Sequence, residues 1–374
     1  MGTAGFRRSA RLTPPTAGAT TAFSALSPAD VRAWAASKGH PGYRADQVLR
    51  WYYRSGAESF GAMTDLPLDL RASLESEFQF STVSLATTVS ADSGETLKHL
   101  FRLGDGELLE SVCMHYPHGR ASSERTTVCL STQVGCAVRC PFCATGLAGL
   151  RRNLDGAEVV DQVLAVSRHE IQRQRRVSHL VYMGMGEPLH NVTATLASLK
   201  RFCDPGALGL GVRRVTVSTS GVVPGIETLA GSGLGVNLAV SLHAASDGIR
   251  DRLVPLNRRW KIAAVVAAAD AYAARTGRRV SYEYVMLRQV NDSLELGDRL
   301  GELLHGRLAH VNLIPYNPIP GDPYQATPTS HIEAFKRRVQ SRGVECTIRD
   351  TRGRDIDAAC GQLRAEAQGL VAQT

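Results

Sequence analysis

Gly135-Cys136-Ala137-Val138-Arg139-Cys140-Pro141-Phe142-Cys143 places three cysteines within eight residues, spaced C-x3-C-x2-C, directly after a β-rich run at 126–130. Thiolates this close seldom serve core packing in an intracellular protein; they ligate soft metals. Zinc prefers four closed ligands, typically as two knuckles, and the chain has no second C-x2-C pair. Three ligands on a short loop suit a cubane iron–sulfur cluster with one iron left open to a substrate or cofactor. On spacing alone, a zinc site or a redox pair stays open beside it.

Outward from this loop, short β-rich runs alternate with longer helical stretches. The runs lie at 126–130, 179–183, 214–218, 237–242, 280–285 and 310–314, and Ala-rich helical segments fall at 156–173, 192–202 and 262–276. Six repeats of strand and crossover helix predict an α/β fold, a parallel sheet closed into a partial (β/α)6 barrel. The runs end in polar or Gly-rich tails: Gly184-Met185-Gly186-Glu187-Pro188, Thr219-Ser220-Gly221, His243 and Pro315-Tyr316-Asn317-Pro318. Barrel enzymes build their sites at the C-terminal strand ends, so these tails describe one active-site mouth.

Upstream, the pattern divides differently. Residues 1–26 are rich in Thr, Ala, Ser and Pro, carry Arg7, Arg8 and Arg11, and are expected to lack fixed structure. Residues 27–81 read as a helical accessory domain: Ser27-Pro28 with Asp30 is a helix start, and Gly39 with Pro41-Gly42 a stop. Residues 82–120 alternate in strand period around the Gly104-Asp105-Gly106 turn, a small β extension. The barrel is assigned 121–350, and 351–374 a C-terminal tail. All 374 residues carry 43 Lys+Arg against 35 Asp+Glu, a net charge of +8 that points only weakly to a polyanionic partner. The basic residues come as scattered pairs such as Arg151-Arg152 and Arg213-Arg214, which ordinarily lie on solvated helix ends and loops. The longest apolar run, 262–269, stops at Asp270 and cannot span a membrane, and the N-terminus has no apolar signal core. A cytoplasmic protein, acting as a monomer, is expected.

The cysteine loop after the first strand, with Met183-Gly184-Met185-Gly186-Glu187-Pro188 after the second, resembles the radical S-adenosylmethionine superfamily. More narrowly the chain resembles the RlmN/Cfr family of RNA adenine methyltransferases. Matching segments include Leu130-Ser131-Thr132-Gln133-Val134-Gly135-Cys136, Val217-Ser218-Thr219-Ser220-Gly221-Val222, Ser241-Leu242-His243 and Asp355-Ile356-Asp357-Ala358-Ala359-Cys360-Gly361-Gln362-Leu363. Arg44-Ala45-Asp46-Gln47 matches the family's N-terminal helical domain, so the resemblance runs from about residue 28 to 365. The loop from Tyr116 to Arg125 is longer and more Ser-rich than the family pattern.

The resemblance implies that Cys136, Cys140 and Cys143 hold one [4Fe-4S] cluster. It also implies that Gly186, Glu187, Ser218, Ser241, Leu242, His243 and Asn317 contact S-adenosylmethionine, of which two are used per turnover. Cys360 matches the methyl-carrying cysteine, Cys129 the thiol that later pairs with it in a disulfide, and Glu110 a catalytic glutamate, the proton acceptor. The implied reaction is methylation of C2 of an adenosine in 23S ribosomal RNA, with transfer RNA as a further substrate the family can use, and an electron donor such as flavodoxin is needed. The implied chemistry suits an electrophilic carbon: Cys360 takes a methyl from one cofactor molecule, a 5′-deoxyadenosyl radical from the second removes hydrogen from it, and the resulting carbon radical adds to adenine. Attack by Cys129 on the Cys360 sulfur then releases the methylated base.

Without the resemblance, Cys360 in an Ala-Ala-Cys-Gly context and Cys129 in a strand read as small buried residues, as do Cys113, Cys203 and Cys346. Two other functions compete with C2 methylation. C8 methylation of the same adenosine uses the same cysteines, although Thr351-Arg352-Gly353-Arg354 looks more like the C2 enzymes. A non-catalytic iron–sulfur or zinc RNA-binding protein would have no use for Cys360.

Overall fold

The computed structural model of the protein describes residues 20–117, 124–319 and 321–363. Residues 1–19 of the expected tail and 364–374 of the C-terminal segment lie outside these.

The N-terminal module is bracketed by a short parallel pair, β1 (Thr21–Ala22) and β2 (Phe78–Gln79). Between them run α1 (Pro28–Ser37), α2 (Gly42–Arg54) and α3 (Leu68–Glu77). Helix α1 starts at the expected place: Ser27 and Asp30 exchange side-chain and backbone hydrogen bonds of 2.7 and 3.0 Å in a capping box, with Pro28 in the first turn. Residues 20–26 depart from the expected structureless tail. Phe23 is buried and packs edge-on against Tyr52, Phe60 and Phe78 at 4.7, 5.4 and 5.6 Å, so apolar burial outweighs the polar composition around it. The module docks on the barrel through buried Asp161, which accepts from Tyr52 Oη at 3.0 Å and from the Thr82 N–H and hydroxyl at 2.8 Å each.

Strands β3 (Val83–Ala91), β4 (Thr96–Leu103) and β5 (Leu108–Tyr116) are antiparallel. Strand β6 (Arg125–Cys129) pairs antiparallel with β5, and β7 (Gln133–Gly135) with β8 (Leu150–Asn153) makes a separate two-stranded ribbon. Then β9 (His179–Tyr182), β10 (Val215–Thr219), β11 (Asn237–Ser241), β12 (Val280–Met286), β13 (Ala309–Pro315) and β14 (Glu345–Ile348) follow in parallel. The crossovers are α5 (Gly156–Gln172), α6 (Val192–Cys203), α7 (Val223–Gly231), α9 (Ile262–Thr276), α10 (Leu294–Leu304) and α11 (Thr329–Ser341), with short α4 (Ala144–Ala148) and α8 (Asp247–Leu253) at the loops.

All six expected parallel strands are present, and β14 adds a seventh; its four residues, half of them polar, carry too short a pattern to read as a strand. The β extension is not a separate body. Strands β3 to β6 and β9 to β14 form one ten-stranded sheet in chain order, so the expected boundary near residue 120 crosses a continuous hydrogen-bonded ladder. Val217, Leu238, Val240, Tyr282, Val311 and Leu313 are all essentially inaccessible; they alternate with the cavity-lining Ser218, Ser241, Glu283 and Ile314, so they form the core between the sheet and its outer helices. Among the described residues, no helix is long and apolar enough to cross a membrane.

The first and last parallel strands, β6 and β14, are not paired with each other, and the C-terminal segment crosses between them. It is strapped on both sides. Arg352 donates to the His115 carbonyl at 2.8 Å and the Gly353 N–H to Asp92 at 2.9 Å. On the other side Gly361 accepts from the Ala144 N–H at 2.7 Å and Leu363 from the Thr145 hydroxyl at 2.7 Å.

Candidate active site

The strand tails meet as their sequence foretold, around one open-mouthed cavity of about 920 Å³. Cys136, Cys140 and Cys143 line one wall, and Gly186, Glu187, Ser218, Ser241, His243 and Asn317 line the rest, with Cys360 at the rim toward β14. Of the expected cofactor contacts only Leu242 stands apart. Its side chain is buried in the barrel core, its N–H donates to the Glu283 carbonyl and its own carbonyl accepts from Arg250.

The cysteine loop is shaped by close backbone approach. Gly135 sits at φ +76°, where an added Cβ would lie 1.7 Å from the Gly149 carbonyl oxygen, and a Cβ on Gly146 would meet the Cys140 backbone at 2.8 Å. Burial pushes the Cys136 thiol up to about 12, and burial followed by the neighbouring Cys143 and Cys136 raises Cys140. Cys143 is the N-cap residue of α4, and burial raises its thiol. Three thiols on one cavity wall, Cys136 buried and Cys140 and Cys143 half-buried, become thiolates when a soft cation displaces their protons. The donor set therefore fits an iron–sulfur cluster.

The polar wall is locked before any ligand arrives. Glu187 accepts from the Ser220 N–H and hydroxyl at 2.7 Å each and from the Leu189 N–H at 3.0 Å, which leaves a fixed carboxylate edge for a cation. Gly186, at φ +102°, passes so close to Gln133 that a Cβ would lie 2.6 Å from that side chain. His243 Nδ1 accepts from the Val285 N–H at 3.0 Å, so its proton sits on Nε2. Burial, with help from Arg250, depresses the His243 imidazole to about 3. That folded value lies below the unfolded one, so the associated stability is present above pH 6.5 and drains as pH falls toward 3. Between pH 6.5 and 5.0 this group removes about 2 kcal/mol. Urea unfolding at the two pH values should show that loss in the wild type and not in His243→Gln.

Several site residues gave no sequence signal. Arg250 is fully buried and donates to the carbonyls of Leu242, Ser220 and Ser241 at 2.9, 2.6 and 3.1 Å and to Asn257 Oδ1 at 2.9 Å, tying the ends of β10 and β11 together. Arg250→Met leaves these acceptors without their donor, and chemical unfolding should show a loss of about 2–4 kcal/mol together with weaker S-adenosylmethionine binding by calorimetry. Arg349 follows β14, 3.8 Å from buried Glu283 and 3.6 Å from Met183 Sδ.

A second cavity, of about 710 Å³, opens beside the first. It is walled by Val112, Met114 and Tyr116 of β5, by Cys129, and by residues 349–352 and 358–361. Cys360, Arg349 and Asn317 line both cavities. Burial, then the Cys360 sulfur, push the Cys129 thiol up to about 12 against the pull of Arg349. Glu110 lies on the same face of β5 as Val112 and Met114, buried and 3.2 Å from Lys98 Nζ, but not on the wall of either cavity.

Comparison with known proteins identifies the family. Residues 130–296 match the radical SAM superfamily and residues 23–79 the ribosomal RNA large subunit methyltransferase N-terminal domain. A Frankia alni protein named "Probable dual-specificity RNA methyltransferase RlmN" is 50% identical over 92% of this chain and 83% of its own length. The chain belongs to the RlmN family of radical SAM RNA methyltransferases. The RlmN of Mycobacterium marinum, named in the same words, is 48% identical over 88% of this chain and 91% of its own. A crystal structure of a radical SAM methyltransferase from Sphaerobacter thermophilus superposes with a TM-score of 0.88 at 46% identity, covering 92% of this chain and all of that one. Membership of the radical SAM superfamily brings S-adenosylmethionine and a [4Fe-4S] cluster, and membership of the RlmN family an RNA substrate.

Proposed function

We propose that this RlmN-family chain methylates C2 of an adenosine in 23S ribosomal RNA, and also an adenosine of transfer RNA, a second substrate in keeping with relatives named dual-specificity RNA methyltransferases. Cys360 is the methyl carrier, Cys129 the resolving thiol and Glu110 the proton acceptor. The supporting observation is the position of Cys360: one sulfur on the shared rim of two cavities, the first holding the three cluster cysteines, the second holding Cys129.

Bound at Cys136, Cys140 and Cys143 and at the polar strand ends, the cluster and two molecules of S-adenosylmethionine per turnover supply a methyl group and a 5′-deoxyadenosyl radical. The chain supplies placement and dryness. Glu187, fixed by three donors, orients a cationic amino group; neutral His243, Ser218, Ser241 and Asn317 provide neutral polar contacts. The Cys360 backbone is held by Asn317, whose amide donates to its carbonyl at 3.4 Å, so the sulfur moves by side-chain rotation between the two cavities while its strap stays in place. In the second cavity, Tyr116 with Arg352 stacked 4.4 Å over its ring offers a flat surface for an unstacked adenine.

Release follows from the two thiols. Cys129 attacks the Cys360 sulfur, the S–S bond forms, the S–C bond breaks with its electron pair leaving on carbon, and that carbon takes a proton to become the methyl group. Arg349 stabilises the attacking thiolate, since its own charge is reinforced first by Cys360 and also by Cys129. Glu110 is removed from the cavity wall, and its route to the C2 proton runs along the Lys98 side of β5, where Lys98 also reaches the Asp357 carbonyl at 3.5 Å. A flavodoxin-like donor supplies electrons, and the enzyme works as a cytoplasmic monomer.

The test is the peptide mass of Cys360 after anaerobic incubation with labelled S-adenosylmethionine. A methyl-sized addition at that peptide is expected, and its absence from protein with an intact cluster overturns the reading. Nuclease digestion of the product RNA locates the methyl; 8-methyladenosine as sole product would replace C2 by C8.

A further inference from the structure

We propose that Cys113, His115 and Glu170 form a second metal site, one that takes a single divalent zinc-class ion on the face of the sheet opposite the reaction cavities. Cys113 and His115 lie two residues apart on β5, so both project to the same side, toward α5, which carries Glu170. All three are buried, Glu170 completely, and their ligand atoms lie within 4.8 Å of one another.

The spacing is that of a coordination shell. Cys113 Sγ is 4.0 Å from His115 Nε2, which is 3.3 Å from Glu170 Oε2. Tetrahedral zinc bonds of about 2.0–2.3 Å put neighbouring ligand atoms about 3.3–3.7 Å apart, so the His–Glu edge already fits and the sulfur has to move inward to join it. Donor chemistry agrees: thiolate, imidazole and carboxylate are each zinc ligands, their two negative charges offset the ion, and a water from the adjoining cleft would take the fourth position.

The polar inventory gives the second, independent reason. Neither oxygen of the Glu170 carboxylate makes a well-aligned hydrogen bond, although the residue is wholly buried; its nearest neighbours are the His115 and His169 imidazoles at 3.3 and 3.5 Å. A buried carboxylate so thinly satisfied is costly and calls for a cation. His115 is oriented as metal-bound histidines are, with Nδ1 3.3 Å from the Thr126 hydroxyl, which turns Nε2 onto Cys113 and Glu170. His169 Nδ1, also unpartnered, stands 3.5 Å from Glu170 Oε1. His115 lines a small surface cleft together with Glu95, Glu124, Arg125 and Arg175, an entry path in which two carboxylates balance two arginines.

The site would pin β5 to α5. Since Glu110, Val112, Met114 and Tyr116 occupy the other face of β5, the ion would hold the strand that walls the second cavity. It lies apart from Cys136, Cys140 and Cys143, and this separation sets the experiment.

Full-length protein, purified anaerobically and equilibrated with zinc before desalting, is assayed for iron and zinc by mass spectrometry. The expected result is about one zinc per chain besides the cluster iron. A Cys136→Ala, Cys140→Ala, Cys143→Ala triple variant should lose iron and keep zinc; Cys113→Ser and the isosteric Glu170→Gln should lose zinc and keep iron. Because a buried variant can misfold, cobalt is also loaded into the wild type and the triple variant, where a thiolate-to-cobalt charge-transfer band is expected in both. No zinc in the wild type, zinc that leaves with the cluster cysteines, or no charge-transfer band in the triple variant overturns the proposal and leaves a buried His–Glu pair beside a thiol.

Discussion

Cys129→Ala should accumulate RNA joined covalently to Cys360, while Cys360→Ala should form no adduct at all. The two thiols are not interchangeable in the structure. Cys360 lines both cavities; Cys129 lines only the second, where it is buried and its thiol is pushed up to about 12. Removing Cys129 therefore leaves methyl transfer and carbon–carbon bond formation intact and blocks only cleavage of the S–C bond. Removing Cys360 stops the sequence at its beginning. Turnover should fall about 10³-fold or more in both, because each is a nucleophile with no substitute nearby. Denaturing electrophoresis of anaerobic reactions with labelled RNA separates them, and adduct formation by Cys360→Ala would reverse the assigned roles.

The second large effect is expected from a residue with no functional group. Gly135→Ala should reduce iron per chain about tenfold or more and destabilise the protein by about 4 kcal/mol or more, beyond the ordinary range for point substitutions. The added Cβ would stand 1.7 Å from the Gly149 carbonyl oxygen, a backbone atom that no side-chain rotation can clear, and the residue is also at φ +76°. Relief requires β7 and β8 to part, and the loop of Cys136, Cys140 and Cys143 is held between them. Gly233 separates collision from strain. It has almost the same φ, +77°, with nothing within 4 Å of its Cβ position, so Gly233→Ala should cost about 1–2 kcal/mol and leave iron unchanged. Equal iron loss in both variants would mean that φ strain, not the collision, shapes the loop.

Legibility in the sequence followed the range of each interaction. The three-cysteine loop could be read because its thiols are close in the chain, and the ends of β9, β10, β11 and β13 because a polar tail on an apolar strand is a local pattern. The helical module was readable from the Ser27–Asp30 cap, yet Phe23 was lost in a Thr- and Ala-rich stretch, because its aromatic partners come from Tyr52, Phe60 and Phe78. Leu242 was drawn into the site by its neighbours, although a strand alternates its side chains and sends Leu242 to the core. Arg250 and Arg349 read as two more of 43 basic residues; only the fold shows one fully buried with four acceptors and the other beside two thiols. Cys113 was set aside as a bystander, since nothing in its neighbourhood points to Glu170 on a distant helix.

The three-cysteine loop, the αβ alternation and the family were thus legible in the sequence alone, since each rests on spacing or on motifs along a chain whose local geometry is set by backbone chemistry. Only the tertiary structure decided that the β extension continues the barrel sheet and that the C-terminal segment is strapped across its open edge. It alone puts Cys360 between two cavities and gathers Cys113, His115 and Glu170 behind them. These depend on which surfaces bury one another, and burial couples residues at separations that no local pattern records.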